Sequence, residues 1–281
     1  MKIIDLHTHT THSDGTLTPK EIITLAKELN ISAIAITDHD ALSAIEEAEH
    51  YAKIAGIEVI PGIEISTEYN GFEIHMIGLF IDRYNTSLNH KIEDFVKSRE
   101  ERNILIVKKL QELNIDISYS DILNQTNNSA ITRAHIAREL MNKGYVKSAD
   151  EAFDRYLGYG KKAFVKRELI NWQESIDLIK KSGGIAILAH PILYKLSYKK
   201  LEEIVANMAS HGLDAIEAYY SSYSLAEAKY IKTLALKNKL ALSGGSDFHG
   251  NNKPKIQLGS GYGDLQIPYS VLEVLKEKLN E

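Results

Sequence analysis

Seven short apolar runs punctuate the chain, at 2–6, 32–37, 57–61, 72–80, 184–189, 213–218 and 239–243. They are rich in Ile, Val, Ala and Leu, the pattern of strands buried on both faces. Between them lie stretches of helical spacing with explicit start signals. Thr18-Pro19-Lys20-Glu21 is a capping box with proline at the first helical position. The Ser-x-x-Glu spacing recurs from Ser43 to Glu46 and from Ser224 to Glu227, and Gly56 and Gly212 stand where helix C-caps are expected. Strands alternating with helices, with no sign of a second sheet, predict an α/β fold built as a parallel barrel. The seven strands are one short of the common eight.

The rhythm breaks between 88 and 165, where no convincing strand occurs. Residues 88–113 read as a long amphipathic helix with Ile92, Phe95, Val96, Ile104, Val107 and Leu110 on its apolar stripe. Residues 132–143 and 148–157 read as shorter helices, the latter opening with Ser148 and Glu151. The expected organisation is a barrel of residues 1–87 and 166–281, with a helical insertion at 88–165 acting as a substrate cap. The glycine-rich stretch Gly259–Gly263 lacks the lysine and helix of a phosphate-binding loop.

Composition narrows the setting. With 281 residues, 44% of them hydrophobic, the chain is long enough to close a barrel around one core. A net charge of −5 leaves no general basic surface for duplex nucleic acid. The absence of cysteine removes disulfide frameworks and thiolate metal sites. No run is long and apolar enough for a membrane span. The first strand begins at residue 2, with no preceding signal peptide, so the expected location is the cytoplasm.

The candidate chemistry is concentrated at the strand ends. Asp5-Leu6-His7-Thr8-His9 follows the first run, with Ser13-Asp14-Gly15 just beyond. Thr37-Asp38-His39-Asp40 follows the second and Gly62-Ile63-Glu64 the third. His75 lies on the fourth, His190 ends the fifth, and Ser246-Asp247-Phe248-His249-Gly250 follows the seventh. A lone His-x-His is usually accidental, a lone Ser-Asp-Gly is usually a turn, and a lone Ala-His-Pro is usually a loop. Chance does not readily place all of them at successive strand ends, where barrel active sites form. Imidazole and carboxylate ligate Zn, Mn and Fe, and nine such groups are too many for one ion. His50, His90 and His211 read as surface residues, whereas His12 shares a loop with Asp14 and could reach a substrate.

Together these motifs resemble the PHP (polymerase and histidinol phosphatase) family of metal-dependent phosphoesterases, over Asp5 to Gly250. The resemblance implies a distorted seven-stranded (β/α) barrel and three divalent metal ions, Mn, Fe or Zn. It divides the ligands as His7, His9, Glu64 and Asp247; then Glu64, His75 and His190; then Asp14, His39 and His249, with Glu64 as bridge. Asp38 and Asp40 would orient imidazoles from behind. The run Ser13–Pro19, Thr132-Arg133-Ala134-His135 and Tyr156–Lys161 are similar to the small bacterial members that act on nucleoside 3′,5′-bisphosphates and RNA 5′ ends. The expected substrate is therefore a small phosphorylated nucleotide or short single-stranded RNA, without an obligate protein partner. Hydroxide bridging two ions would attack phosphorus. Arg133 and His135 are the candidate catalytic clamp on phosphate, and Tyr220 and Ser222 are further substrate-binding candidates after the sixth strand. Histidinol phosphatase, an amidohydrolase and a non-catalytic binding module are the alternatives. An amidohydrolase would call for a ligating lysine on a middle strand, and none is suitably placed.

Overall fold

The computed structural model describes residues 2–124 and 131–280. Its elements begin with β1 (Ile3–Asp5), α1 (Pro19–Glu28), β2 (Ile31–Ile36), α2 (Ile45–Ala55), β3 (Glu58–Tyr69) and β4 (Phe72–Leu79). The helical segment follows with α3 (Thr86–Glu112), α4 (Tyr119–Leu123), α5 (Arg133–Asn142), α6 (Ala149–Ala152) and a π-helical turn over Phe153–Leu157. The chain then returns through β5 (Ile170–Asn171), α7 (Trp172–Lys181), β6 (Ile185–Leu188), α8 (Tyr198–His211), β7 (Ala215–Tyr220), α9 (Leu225–Lys237), β8 (Ala241–Gly245) and α10 (Tyr269–Leu279). Two compact units result, Met1–Asn89 with Leu169–Glu281, and His90–Glu168. Residues 125–130 of the expected insertion lie outside the described residues.

Seven strands follow the order β1-β2-β3-β4-β6-β7-β8 and nearly close into a barrel. The segments after β1 and β8 complete the seam: Asp247 N–H donates to the His7 carbonyl at 2.9 Å and His9 N–H to the Phe248 carbonyl at 3.0 Å. The two-residue β5 stands off this path and pairs with β3. It is too short to show a hydrophobic period.

The barrel is mixed, not parallel as the strand–helix alternation suggested. β4 runs antiparallel to both β3 and β6. The cause is local: Asn70 and Gly71 both take positive φ, 47° and 91°, and join Tyr69 to Phe72 in a tight hairpin. Asn-Gly is the strongest short hairpin signal, because both positions must enter the left-handed region. This reversal places the first half of β4, and His75 with it, at the rim where the parallel strands end.

Burial explains the rest of the frame. Ala33 and Ala35 of β2 face the barrel interior beside Ile4, Leu6, Ile60, Ile77, Ile185 and Ile187. Ile34 and Ile36 face outward into a layer made by Ile22, Ile23 and Ala26 of α1 and Ala48 and Ala52 of α2. Val271, Leu272 and Leu275 of α10 join the interior cluster and fill it from the end opposite the rim. The unit His90–Glu168 has its own core, including Ile106, Leu110, Ile136, Leu140 and Leu157.

Two local expectations fail for physical reasons. The α3 stripe is not the one assigned by apolar spacing alone. Val96 and Ile104 are exposed, and the buried face combines Phe95, Val107 and Leu110 with Arg99, Arg102, Asn103 and Ile106. Polar members on a buried face defeat an apolar count. Ser43 does not cap α2: the cap position is Ala44, with no side-chain hydrogen bond, and the Ser43 hydroxyl pairs with His12 Nδ1 at 2.7 Å. The boxes at Thr18 and Ser224 form as the spacing predicts, and Gly56 and Gly212 close their helices in the left-handed region.

Gly245 at the end of β8 ties frame to site, since a Cβ there would fall on the His7 backbone. Gly245→Ala should therefore push β8 away from the β1 segment. We expect a loss of about 2 kcal/mol or more, roughly a 4–8 °C fall in Tm for a chain of this size, together with reduced metal uptake. Thermal melts and elemental analysis check both; a wild-type melt with full metal content refutes the contact.

Candidate metal centre

The rim is assembled by buried polar clasps. The Asp5 carboxylate accepts hydrogen bonds from Ser246 N–H at 2.8 Å, Ser246 Oγ at 2.5 Å and Gly259 N–H at 2.8 Å, fastening β1 to the loop after β8. Burial pushes the Asp5 carboxyl above its ordinary range, against these hydrogen bonds. Asp38 accepts from Thr10 N–H at 2.8 Å, Thr10 Oγ1 at 2.7 Å and Ser13 Oγ at 2.6 Å, and so shapes the loop that carries Asp14. Asp40 accepts from Ser66 N–H at 3.2 Å. Asp38 reaches an imidazole only through this loop: the Ser13 hydroxyl that it holds lies 3.3 Å from His9 Nδ1.

Glu64 stands in the middle, 1% exposed. Its Oε1 lies 2.8 Å from His75 Nδ1 and 2.9 Å from His190 Nε2. Its Oε2 lies 3.0 Å from His39 Nδ1, 3.2 Å from His9 Nε2 and 3.4 Å from His7 Nε2. Asp247 Oδ1 lies 3.6, 3.4 and 3.3 Å from His7, His9 and His249. Asp14 completes the cluster, 3.2 Å from His249 Nε2, 3.8 Å from His9 Nδ1 and 3.9 Å from His39 Nε2. Four groupings bring donor atoms within 4.8 Å of one another: His9, Asp14, His39 and His249; His7, Glu64 and His190; His7, His9 and Asp247; His39, Glu64 and His75. All nine residues expected to ligate converge here.

Supporting residues that motif reading missed complete the site. Glu217, a lone acid inside the apolar run of β7, accepts from His7 Nδ1 at 3.0 Å and from the His190 N–H at 2.7 Å. This fixes the His7 tautomer and leaves Nε2 facing the centre. Asp247 Oδ2 accepts from Tyr220 OH at 2.6 Å and Lys253 Nζ at 2.5 Å, which aims Oδ1 at the imidazoles. Tyr194 OH donates to the Ala189 carbonyl at 2.6 Å and accepts from His75 N–H at 3.0 Å.

The substrate candidates fall differently. Tyr220 is buried and holds Asp247, whereas Ser222 is exposed in the turn that follows β7. Its neighbour Ser221 is the buried one, donating to the Ser246 carbonyl at 2.6 Å. Arg133 and His135 open α5 in the unit His90–Glu168. His135 Nδ1 accepts the Thr132 N–H at 3.0 Å as part of a capping box, and the Arg133 guanidinium lies 6.0 Å from the Phe153 ring centre.

The donor set fits divalent metal ions. His7 Nε2 and His9 Nε2 face each other at 3.2 Å, an arrangement that two neutral lone pairs would resist. Three carboxylates are buried among six imidazoles, and such charges must be compensated. Without an ion, protons compensate them. Burial opposes charge on His7, yet Glu217, Glu64 and Asp247 hold its pKa well above the ordinary value. Against the same burial cost, Asp247 and Glu64 push His9 up to about 9, and Glu64 pushes His75 up to about 10. Burial takes His39 down to about 3. Despite burial, the imidazoles around Asp14 and Glu64, and Lys253 with the imidazoles around Asp247, hold these carboxyls well below the usual carboxylate range.

Comparison with known proteins agrees with this geometry. The PHP domain model matches residues 5–212. The chain belongs to the PHP domain family. It is 39% identical over 259 residues to the 5′-3′ exoribonuclease Rnm of Salmonella typhimurium, covering 92% of this chain and 88% of that protein. It is 31% identical over 250 residues to the 3′,5′-nucleoside bisphosphate phosphatase of Chromobacterium violaceum, covering 89% and 88%. A Bifidobacterium adolescentis structure, provisionally called a metal-dependent phosphoesterase, superposes with a TM-score of 0.88 at 26% identity over 99% of this chain and 96% of that one. A Chromobacterium violaceum structure called an amidohydrolase, with bound sulfate and no metal, gives 0.89 at 29% identity over 98% and 96%. This PHP protein is a hydrolase of the metal-dependent phosphoesterase class, and its His/Asp/Glu clusters could hold the metals. Among the described residues no helix is long and apolar enough to cross a membrane.

Ligation needs neutral imidazoles, so metal must displace the protons held by His7, His9 and His75. Their raised pKa values stabilise the metal-free fold below the ordinary histidine value. That contribution is lost as pH rises through about 9 and about 10. Loading the metal-free protein near neutral pH should release more than one proton per chain, with affinity rising toward alkaline pH. Calorimetric titration in buffers of different protonation enthalpy measures this; a heat independent of buffer counts against it.

Proposed function

We propose that the protein hydrolyses phosphate esters of small nucleotides, namely the terminal phosphate of nucleoside 3′,5′-bisphosphates and nucleotides at the 5′ ends of short single-stranded RNA. The observation that carries the phosphoesterase chemistry is the division of Glu64: each carboxylate oxygen serves a different set of imidazoles. The relatives named for RNA and for bisphosphate substrates support the nucleotide class. The net charge of −5 fits a small or single-stranded ligand better than a duplex. We place this activity in the cytoplasm.

We assign three divalent ions, Mn, Fe or Zn, to His7, His9, Glu64 and Asp247; to Glu64, His75 and His190; and to Asp14, His39 and His249. When bound, such ions polarise phosphoryl oxygens and supply a nucleophile at neutral pH. The chain's own contribution is orientation. Glu217 fixes His7, Tyr220 and Lys253 aim Asp247, and Asp38 holds the Asp14 loop. We assign the holding of phosphate to Arg133 and His135, the guanidinium offering a planar fork of donors.

Protein expressed with added Mn should approach three ions per chain by elemental analysis. Glu64→Ala should lower the count by more than one, because a bridge serves two positions. A stable count of one with undiminished activity contradicts the assignment.

On the metal-loaded enzyme, kcat/KM should favour adenosine 3′,5′-bisphosphate and short 5′-phosphorylated RNA over adenosine 5′-monophosphate and histidinol phosphate. Arg133→Ala should keep its metal while losing on the order of 2 kcal/mol of substrate stabilisation. Preference for histidinol phosphate overturns the nucleotide reading, and wild-type kinetics of Arg133→Ala removes it from the clamp.

A further inference from the structure

The loops after β6 and β7 leave the metal centre together and reach solvent together. The first begins at His190, whose Nε2 lies on Glu64, and the second at Tyr220, whose hydroxyl lies on Asp247. They are tied where Tyr223 OH accepts the Ile192 N–H at 3.3 Å. Farther along the same two segments stand Tyr198, the first residue of α8, and Tyr230 of α9. Their rings stack at 4.1 Å and 26°, and the Tyr230 hydroxyl donates to the Tyr198 carbonyl at 3.1 Å. Tyr198 is nonetheless 54% exposed. The ring is held in place by its partner and offered to water, so ordering it for a ligand costs little entropy.

The surroundings are rich in lysine, with one carboxylate, Glu202, near Tyr230. Lys195 and Lys199 lie on either side of Tyr198 in sequence, and Lys229 precedes Tyr230. All three are exposed, and none forms an ion pair among the described residues. Lysines within three residues of a rigid, exposed aromatic pair match the two needs of single-stranded nucleic acid: neutralised phosphates and a surface for bases. A protein partner would be expected to use a larger continuous apolar surface. Here the exposed apolar surface is one ring pair with isolated leucines, Leu193 and Leu225, on the same segments among lysines.

We propose that Tyr198, backed by Tyr230 and flanked by Lys195, Lys199 and Lys229, is the track for single-stranded RNA nucleotides that lie downstream of the phosphate held at the metal centre. The proposal rests on the nucleotide reading above and adds a length-dependent subsite to it. A mononucleotide bisphosphate ends before the track; an oligonucleotide continues onto it.

The test compares adenosine 3′,5′-bisphosphate with 5′-phosphorylated oligoribonucleotides of stepwise length, on the metal-loaded enzyme. Wild-type kcat/KM should rise over the first few added nucleotides and then level. Tyr198→Ala should reduce the value for longer oligonucleotides roughly tenfold, the scale of one lost base stack, and leave the bisphosphate unchanged. Tyr198→Phe should restore the oligonucleotide value. Lys195→Ser with Lys199→Ser should flatten the salt dependence for oligonucleotides alone. Equal losses on both substrates would show a structural effect and overturn the track. Wild-type behaviour of the variants at every length also overturns it and leaves the surface to a protein partner. Turnover of bisphosphate without any turnover of RNA rejects the track but keeps the mononucleotide reading. Turnover of neither rejects both.

Discussion

The buried Glu64 carboxylate is the constraint around which the barrel rim is built. It faces five imidazole nitrogens, from His7, His9, His39, His75 and His190, and is itself buried. A charge so placed is tolerable only if cations surround it. The imidazoles come from four segments, after β1, after β2, on β4 and after β6, so strand register and strand direction are both tied to this one group. The reversed β4 is part of that requirement. A parallel fourth strand would direct its first half, and His75, toward the opposite end.

Around the donors lies a second set of buried polar residues whose work is mechanical. Asp5, Asp38, Glu217 and Tyr220 hold backbone and ring orientations across the barrel seam and between loops. Removing one leaves a buried donor or acceptor unmatched, at a cost of about 1–3 kcal/mol. The rim therefore depends on hydrogen bonds where the rest of the barrel depends on packing. Ile, Ala and Leu side chains and α10 fill the opposite end, and the polar end needs that rigid support. The same division gives a physical reason for the loops after β6 and β7. The first begins at a ligand, His190, and the second at Tyr220, which holds a ligand, and both continue to the Tyr198–Tyr230 stack.

The chemistry of this protein was written locally. His7-Thr8-His9, Asp38-His39-Asp40 and Asp247-Phe248-His249 are short words, each legible because ligand type and strand-end position both appear within a few residues. The seven apolar runs announced the seven barrel strands, because buried strands need continuous apolar stretches. Caps at Thr18 and Ser224 were equally local. Asn70-Gly71 shows that the direction of β4 was also locally encoded and was outweighed by the repeating strand–helix rhythm.

Tertiary structure decided what depends on distance along the chain. Glu217 meets His7 across 210 positions, and no spacing rule connects a lone strand acid to that ring. Tyr220 of β7 shares one oxygen of Asp247 with the nearby Lys253, so the aim of that ligand depends on a strand twenty-seven positions away. Ser43 had the spacing of a cap, yet a histidine thirty-one positions away claimed its hydroxyl. The buried face of α3 includes arginines that an apolar count discards. Sequence by itself determined which atoms could ligate, because that is a property of side-chain type. Only the fold decided which lone pairs point inward, because ligands such as His7 and Asp247 are oriented by Glu217 and Tyr220 from far away along the chain.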